Sequence, residues 1–391
     1  MSQSFIPLSV PNLGGKELEY VTNAVSTGWV STAGKYVSDF ERAVADYVHT
    51  NRAVACQSGT AGLHISLLLS GVEAGDAVIV PTLTFIAAVN PVRYVHATPI
   101  FMDCDDSLCM DPEKLSVFCE RECSFDGKKL IWRKTGQTIK TIVVVHVFGN
   151  MANMARILEI AHKYGLKVIE DATEALGTHY DETHPIFPNR FAGTMGDFGV
   201  FSFNGNKIIT TGGGGMILAA NVEDAEHAKH LTTQAKSDEQ NFLHDEVGFN
   251  YRLTNLQAAL GLAQLEQLEG FIATKARNYA DYCASLADLS SVRMLDFEKN
   301  IRSNYWFYSL FIEDPKAFNR DAVIAEFGKN NIQTRPIWGL IHEQLPYEGS
   351  ATYEIEKAIY YAERVVNLPC STNLTSEDVA RVVEVTKRIF Q

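Results

Sequence analysis

The 391-residue chain lacks any uninterrupted apolar stretch that approaches the length of a membrane span, and it lacks an excess of positive charge. A spanning helix needs about 20 consecutive apolar residues. The formal net charge of −13 disfavours non-specific attraction to nucleic acid or to an anionic membrane surface. The first residues, MSQSFIPLSV, lack the charged-then-apolar pattern of a signal peptide. We therefore expect a cytoplasmic protein that binds neither nucleic acid nor membrane.

Cysteine is also scarce, and its number is odd. Seven cysteines scattered over the chain argue for reduced thiols and against a disulfide framework. Four of them lie between Cys104 and Cys123. Their gaps do not match those of paired zinc ligands, and no histidine lies among them. We therefore expect no metal site.

Two common nucleotide-binding patterns are missing. The run TTGGGG at residues 210–215 lacks the Gly-x-x-x-x-Gly-Lys-Ser/Thr spacing, and no Gly-x-Gly-x-x-Gly opens a helix after the first strand. These absences argue against nucleotide hydrolysis and dinucleotide redox chemistry. We interpret the glycines sterically: after Lys207 they let the backbone approach a neighbour closely and adopt positive φ.

What the sequence does contain is a regular alternation of short apolar runs and helical patterns. The runs DAVIVP, TPIFMD, TIVVVHVFGN and LKVIEDA end in polar or turn residues, and helix-like segments such as 153–164 separate them. Two further helices are predicted at 16–27 and 35–47. Apolar strands that alternate with helices predict an α/β fold with a mostly parallel sheet covered on both faces.

The length favours two domains, because 391 residues exceed one typical core. Residues 124–140 carry two turn signals, DG and TG, and predict a β-hairpin inserted outside the main sheet. After residue 250 a long helical pattern is followed by strands near 305–312 and an amphipathic helix from Ser376. We predict a large α/β domain over residues 1–250 and a smaller α+β domain over residues 251–391.

Polar residues that follow the predicted strands are the first candidates for a site, because ligands of open α/β sheets bind at the carboxyl ends of the strands. Ser58, Gly59 and Thr60 stand where a helix begins, and such a terminus is a ready anion site. The alternative is an ordinary helix N-cap at Ser58. Asp171 directly follows the run KVIE, so a carboxylate lies at a strand end.

Lys207 completes the candidate set. It lies 36 residues after Asp171 (207 − 171 = 36), and Ser202 precedes it in the spacing Ser-x-x-x-x-Lys. An anion cradle, a carboxylate and an amine are the groups that hold pyridoxal phosphate, as phosphate anchor, pyridinium partner and Schiff-base lysine. The sequence therefore predicts a pyridoxal phosphate site.

Longer segments carry a resemblance that covers nearly the whole chain. They are GWVSTAGKYVSDFE, SGTAGLHISL, VPTLTFIAAVN, HVFGN, IEDATEALG, GDFGVFSFNGNKIITTGGGGM, GFNYRLTNLQAALGLAQLE, TRPIW and LPCS. With them the chain resembles the DegT/DnrJ/EryC1/StrS sugar-nucleotide aminotransferases. The hairpin and the segment SFNGNKIITTGGGGM resemble the branch that aminates carbon 4 of UDP-4-keto-6-deoxy-N-acetylhexosamines in bacillosamine and legionaminic acid pathways.

The resemblance implies the aspartate aminotransferase-like fold, fold type I of the pyridoxal phosphate enzymes. It also implies that Lys207 and Asp171 are the catalytic residues. Lys207 would hold the cofactor covalently and shuttle a proton, and Asp171 would keep the pyridine nitrogen protonated. The implied cofactor is pyridoxal 5'-phosphate, with pyridoxamine phosphate as its aminated form.

Matching positions supply the other cofactor contacts that the resemblance implies. Phe85 would stack on the ring with Ala172 near it, although a lone phenylalanine is more often core. Glu174 stands where relatives carry a residue near the ring hydroxyl. The phosphate would be bound by Ser58, Gly59, Thr60 and Ser202. Asn250 would reach that phosphate from a neighbouring subunit, so the resemblance implies a homodimer with shared active sites.

Substrate contacts are predicted at Arg252, Arg335 and His342. An arginine fork suits the diphosphate of a nucleotide sugar, and the alternative for each arginine is an ion pair on the surface or between subunits. The segment from Tyr180 to Ala192 either borders the site or is a passive loop.

These observations lead to one function and two alternatives. We expect transfer of an amino group from L-glutamate to a UDP-4-keto sugar, with glutamate implied by the resemblance alone; a dTDP- or GDP-linked keto sugar, or another ring position, stays open. Related sugar dehydratases carry histidine in place of Lys207, so the lysine argues against a dehydratase. A non-catalytic binding protein of the same fold would not need Asp171, Ser202 and Lys207 together.

Overall fold

The computed structural model describes residues 4–391 as helices and strands in alternation. The helices are α1 Glu17–Ser26, α2 Lys35–Tyr47, α3 Gly59–Leu69, α4 Asn90–Tyr94, α5 Pro112–Arg121, α6 Met154–Tyr164, α7 Val222–Thr232, α8 Asn255–Leu265, α9 Leu268–Leu286, α10 Arg320–Lys329, α11 Lys357–Ala362 and α12 Ser376–Phe390. The strands are β1 Ala53–Cys56, β2 Ala77–Pro81, β3 Thr98–Met102, β4 Cys123–Phe125, β5 Leu130–Trp132, β6 Thr138–Val145, β7 Lys167–Asp171, β8 His179–Tyr180, β9 Phe198–Ser202, β10 Gly215–Ala219, β11 Lys236–Asp238, β12 Leu243–His244, β13 Val292–Met294, β14 Ile301–Arg302, β15 Tyr308–Ile312, β16 Arg335–Pro336, β17 Ala351–Tyr353 and β18 Val365–Leu368.

A ten-stranded sheet forms the centre of the fold, with the order β1-β10-β9-β7-β6-β2-β3-β17 along its main path. From β9 to β17 every neighbouring pair is parallel, whereas β10 runs antiparallel to both β9 and β1. Strand β6 shows why the sheet forms, since its TIVVV end is β-branched and almost fully buried. This arrangement confirms the predicted α/β fold with a mostly parallel sheet.

The carboxyl ends of β1, β7 and β9 meet at one edge of the sheet because β10 alone is reversed among the strands that separate them. Ser58 follows β1, Asp171 ends β7, and Ser202 ends β9. The topology therefore brings together side chains that lie more than 100 positions apart in the sequence.

A smaller antiparallel sheet in the order β13-β15-β18-β16 follows in the second half of the chain. Helix α12 packs with α9 and α10 beside it. Its start is fixed by a capping box between Thr375 and Asp378, and Val379, Val382 and Val385 form its buried stripe. The predicted strands near 305–312 and the amphipathic helix from Ser376 are both present.

The hairpin predicted at 124–140 is present as β4 and β5, but the prediction that it lies outside the main sheet is wrong. Leu130 and Ile131 pair with Ile139 and Thr138 of β6, so the hairpin extends the ten-stranded sheet. The pairing of β6 with β7 starts only at Thr141, so the first residues of β6 have free backbone groups on that edge, and β5 pairs with them.

Several contacts join the parts of the chain before and after residue 250, where we predicted a domain boundary. That boundary stays a prediction. Helix α8 packs on α1 and α2, while α9 packs on α12 and β13. Strand β17 returns to the large sheet beside β3. The N-terminal segment also reaches the second half of the chain, where Ile6 forms a parallel bridge with Ile332 between α10 and β16. The two halves of the chain thus exchange segments in both directions.

Candidate active site

Lys207 lies in a cavity of about 270 Å³ at the carboxyl edge of the large sheet. The lining includes the phosphate-cradle candidates, Asp171, Glu174 and three aromatic residues of the second half of the chain. The sequence-predicted residues among the lining are Ser58, Gly59, Thr60, Phe85, Asp171, Glu174, Ser202 and Lys207. One cavity thus collects the anion cradle, the carboxylate and the amine.

The anion cradle is the first turn of α3. Ser58 has extended backbone geometry, and its hydroxyl accepts a hydrogen bond from the N–H of Ala61. Within residues 4–391 the N–H groups of Gly59 and Thr60 have no hydrogen-bond partner, and both residues line the cavity. Two free donors at the positive end of a helix favour a phosphate group there. The N-cap role and the anion site therefore coexist at Ser58.

The glycine run after Lys207 allows the close approach that the cradle requires. A Cβ atom on Gly215 would lie 2.6 Å from the carbonyl carbon of Ser58, and Gly214 has φ of 150°. A Cβ on Gly59 would lie 2.9 Å from the Thr173 side chain. Side chains at these positions would close the cradle. The steric interpretation of the run is consistent with this geometry.

Asp171 is buried at the end of β7, and its carboxylate accepts a hydrogen bond of 3.1 Å from the N–H of Thr173. Burial raises the pKa of Asp171 above its usual range, while Thr173 and the charges of Lys207 and His146 oppose that shift. No cationic side chain within the described residues lies within salt-bridge distance of it. A buried carboxylate needs a cationic partner, and a protonated pyridine nitrogen would supply one.

A buried pair below the sheet edge fixes the loop around Asp171. His146 and Glu170 contact each other through Nε2 and Oε2 at 2.9 Å, and the Ala152 N–H donates to His146 Nδ1. His146 therefore carries its proton on Nε2. Glu170 also accepts the N–H groups of Gly193, Met195 and Gly196.

The Lys207 amine contacts one carboxylate and one indole ring. Its Nζ atom lies 3.9 Å from Oε1 of Glu174 and 4.2 Å from the ring centre of Trp306. Burial lowers the pKa of Lys207 below its usual range, opposed by the charges of Glu174 and Asp171. Burial also raises the pKa of Glu174 to about 7, opposed by Lys207 and by the N–H of Phe148. The two shifts favour the uncharged amine, which is the nucleophilic form.

Glu174→Gln is expected to stabilise the cofactor-free chain at high pH and to change little at low pH. The Glu174 pKa is about 7 in the folded chain against an ordinary 4.5, so the folded state binds this proton more tightly. Stability of the natural chain therefore falls as pH rises from about 4.5 to about 7. Urea unfolding should show a gain of roughly 2 kcal/mol near pH 8 and almost none near pH 5. Glu356→Gln, on the surface, is the control, and an equal gain for Glu174→Gln at both pH values would contradict the assignment.

Several predicted residues lie outside the cavity in the single chain. Ala172 is buried, and its N–H donates to Val200 in the sheet. Asn250 is exposed and forms a bridge with Thr233. Arg252 forms a backbone bridge with Cys56, and Arg335 is exposed on β16. His342 forms a hydrogen bond of 2.6 Å between its Nδ1 atom and the hydroxyl of Thr82. The structure does not bring these five residues to the cavity.

The loop from Tyr180 to Ala192 does not line the cavity. It packs on itself through the stacked rings of Tyr180 and His184, whose centres are 3.8 Å apart. Its start pairs with β14. In the single chain it therefore does not border the cavity, which corresponds to the second of its two predicted possibilities, a passive loop.

Sequence reasoning missed the aromatic wall of the cavity. Trp306, Phe307 and Trp338 line it from the second half of the chain, and the Phe148 ring packs 4.6 Å from that of Trp338. The N–H of Thr173, which also lines the cavity, donates to Asp171. The signals were the aromatic cluster NYWFY and the tryptophan of TRPIW. From the sequence alone, neither signal can be distinguished from ordinary aromatic residues of the hydrophobic core.

A group of side chains spaced like metal ligands lies elsewhere in the described chain. His230, Asp245 and Glu246 have ligand atoms within 4.8 Å of one another. His230 pairs with Asp245 at 2.7 Å, and His227 pairs with Glu246 at 3.0 Å. Two histidine–carboxylate hydrogen bonds account for this group.

Among residues 4–391, none of the helices combines the length and the apolar composition that a membrane crossing requires.

The sequence profile of the DegT/DnrJ/EryC1/StrS aminotransferase family matches residues 11–387. The chain belongs to this family. It is similar to a GDP-perosamine synthase of Caulobacter vibrioides, with 37% identity over 97% of this chain and 96% of the relative. It is also similar to the pyridoxal phosphate-dependent aminotransferase EpsN of Bacillus subtilis, with 33% identity over 98% and 96% of the two chains. A crystal structure of a family aminotransferase from Brucella abortus has a TM-score of 0.86 at 26% identity, covering 96% of this chain and 95% of that one.

Family membership confirms three predictions. The fold is fold type I, the protein is an aminotransferase of nucleotide sugars, and its cofactor is pyridoxal phosphate. The cavity fits that cofactor, because it combines free N–H donors for a phosphate, a buried carboxylate without a cation, and a buried amine. When bound, the cofactor supplies an aldehyde that carries the amino group and a ring that withdraws electrons. Lys207, Asp171 and the first turn of α3 would be the groups that hold it.

Proposed function

We propose that this aminotransferase takes the amino group of L-glutamate and gives it to carbon 4 of a UDP-4-keto-6-deoxy-N-acetylhexosamine. The observation that carries the chemistry is the single cavity shared by Lys207, Asp171 and the N-terminus of α3. The UDP sugar is supported by the hairpin β4–β5 and the segment SFNGNKIITTGGGGM. The product is a UDP-4-amino-4,6-dideoxy sugar for surface glycan synthesis.

Each protein group has a defined task in this proposal. The Lys207 amine binds the cofactor and moves the proton to and from the carbon that loses or gains the amino group. Asp171 holds a proton on the ring nitrogen. Ser58, Gly59, Thr60 and Ser202 bind the phosphate, and Glu174 and Phe85 lie beside the ring. Arg252, Arg335 and His342 contact the nucleotide sugar only if a second chain or a closing motion brings them near.

A GDP-linked keto sugar is the second candidate acceptor. The 37% identity to a GDP-perosamine synthase favours it. The cavity lining contains no arginine, so in the single chain it offers no arginine fork for the diphosphate that both sugars share.

We also propose a homodimer in which Asn250 completes the phosphate site of its partner. The exposed segment before Asn250 supports this, since Phe242, Leu243 and Val247 are 73%, 56% and 86% exposed. Large apolar side chains in one exposed segment are typical of interaction surfaces. Analytical ultracentrifugation of the full chain measures the assembly, and a monomer at assay concentration would contradict it.

A competition assay tests the acceptor. The holoenzyme with L-glutamate is offered equal amounts of UDP-4-keto-6-deoxy-N-acetylglucosamine and a GDP-linked 4-keto-6-deoxyhexose, and the amino sugars are measured by mass spectrometry. We expect kcat/KM for the UDP sugar to be higher by about tenfold or more. A preference for the GDP sugar would establish the second candidate. Amination of neither sugar would contradict the function.

A further inference from the structure

One buried segment of the second half of the chain, residues 303–306, reaches into the wall of the active-site cavity. Ser303 donates its hydroxyl to the carbonyl of Gly149 at 2.8 Å. Trp306 lies 4.2 Å from Lys207 Nζ, and its ring N–H donates to the carbonyl of Asn206 at 2.8 Å. The segment therefore connects the loop after β6 with the loop that carries Lys207.

Asn304 lies at the centre of this segment and is fully buried. Its side-chain amide donates to the carbonyl oxygens of Glu174 and Leu176, both at 2.9 Å. Its side-chain oxygen accepts the backbone N–H of Trp306 at 2.9 Å. Its own N–H donates to the hydroxyl of Thr178 at 3.0 Å. Both amide hydrogens and the amide oxygen of Asn304 are thus used.

The packing around Asn304 leaves little room for another arrangement. Gly149 has φ of 90°, and a Cβ atom there would lie 2.0 Å from the Asn304 side-chain oxygen. Only glycine permits both this backbone conformation and this approach. The asparagine is therefore held from three sides, by Gly149, by the loop after β7 and by Trp306.

The consequence concerns the two groups that contact Lys207. The Asn304 side chain donates to the backbone carbonyl of Glu174, and it accepts a hydrogen bond from the backbone N–H of Trp306. A shift of Asn304 would move the carboxylate and the indole together, and water would gain access to the amine. Small displacements of groups around a reacting amine have large effects on rate.

The geometry points to Asn304 as a positioning residue for this aminotransferase: it acts through Glu174 and Trp306 to fix the surroundings of the Lys207 amine. The inference rests on Lys207 being the reactive amine of the proposed function. Asn304 touches neither the amine nor the cavity.

The test compares Asn304→Asp and Asn304→Ser with Asn367→Asp. Asn367 is a matched control, because it is buried in β18 and accepts a hydrogen bond of 2.9 Å from Ser309. The full chain, freed of cofactor, is labelled with trace acetic anhydride at a series of pH values. The labelling rate of the Lys207 peptide, measured by mass spectrometry, gives the pKa of that amine. The kcat and the KM for glutamate are then measured on each holoenzyme.

Both Asn304 variants are expected to raise the Lys207 pKa by about one unit or more. The Asn304→Asp change would add a negative charge, whereas Asn304→Ser adds none and acts only by loosening Glu174 and Trp306, so the serine variant carries the decision. We expect kcat to fall about tenfold or more, with the KM for glutamate changed less than about twofold. Asn367→Asp should leave the Lys207 pKa unchanged, and any change that it makes in kcat should be matched by an equal change in the KM for glutamate.

A Lys207 pKa and a kcat for Asn304→Ser that equal those of Asn367→Asp would overturn the inference. If Asn304→Asp does not fold, the serine variant decides alone. Failure of the proposed function has a different signature, because the unaltered chain would then show no aminotransfer while the Lys207 pKa still responded to Asn304→Ser.

Discussion

Lys207→Ala is expected to abolish aminotransfer, with kcat lower by about 10⁴-fold or more, in a chain that stays folded. The Nζ atom is the one amine in the cavity lining, and the lining places it beside Asp171 and Glu174. In the proposed mechanism, alanine would remove both the covalent attachment of the cofactor and the base that moves the proton. It also removes a buried amine whose pKa burial has lowered, so we expect little loss of stability.

Lys207→Arg is the matched variant. Arginine keeps a long side chain with nitrogen donors near the Trp306 ring, but it stays protonated and cannot act as a nucleophile. We expect both variants to be inactive in single-turnover assays with L-glutamate, while circular dichroism and thermal unfolding resemble those of the natural chain. Turnover by Lys207→Ala close to that of the natural chain would disprove the mechanism.

Asp171→Asn is expected to lower kcat by about 10²- to 10³-fold while the cofactor still binds. An amide keeps the size of the carboxylate and can still accept the N–H of Thr173 at 3.1 Å. It carries no charge, so it no longer holds a proton on the ring nitrogen, and the ring withdraws electrons less well. The cradle at Gly59 and Thr60 and the attachment at Lys207 are unaffected. The visible spectrum and kcat of the loaded variant measure the two effects separately.

Asp126→Asn serves as the control for this change. Asp126 is exposed in the turn of the hairpin, where it accepts the N–H groups of Lys128 and Lys129. The control should keep the kcat of the natural chain. An Asp171→Asn variant with the same kcat as the control would show that the carboxylate has no part in the reaction.

The large domain and the centre of the site were predictable because they follow from local patterns. Asp171 and Ser202 end apolar runs, and Ser58 precedes a helical pattern. Parallel strands place such ends at one edge of the sheet, so the sequence order alone indicates that these side chains meet. The pairing of β5 with β6 was not predictable, because nothing in the hairpin sequence states which strand its outer edge joins.

The aromatic wall of the cavity could not be predicted from the sequence. Trp306 lies about 100 positions after Lys207, on a segment that reads as core in isolation. Its place beside the amine depends on long-range contacts through Asn304 and Gly149. Such contacts are set by packing between the halves of the chain and leave no periodic signal.

The substrate residues are the least predictable part. The chemistry of a nucleotide sugar suggested Arg252, Arg335 and His342 as contacts, yet the single chain places them outside the cavity lining. Asn250 is exposed, as a residue that serves a second copy of the chain would be. Pattern reasoning treats one chain at a time, so it cannot locate a site that two chains share.

The most direct measurement identifies the lysine that holds the cofactor. The loaded enzyme is reduced with borohydride, digested, and examined by mass spectrometry for the modified peptide. The chain offers a stringent comparison in Lys275, a second buried lysine whose pKa burial also lowers, which donates to the carbonyl of Cys370 away from Asp171. We predict modification of Lys207 alone. Modification of Lys275 or of a surface lysine, with Lys207 free, would contradict the account.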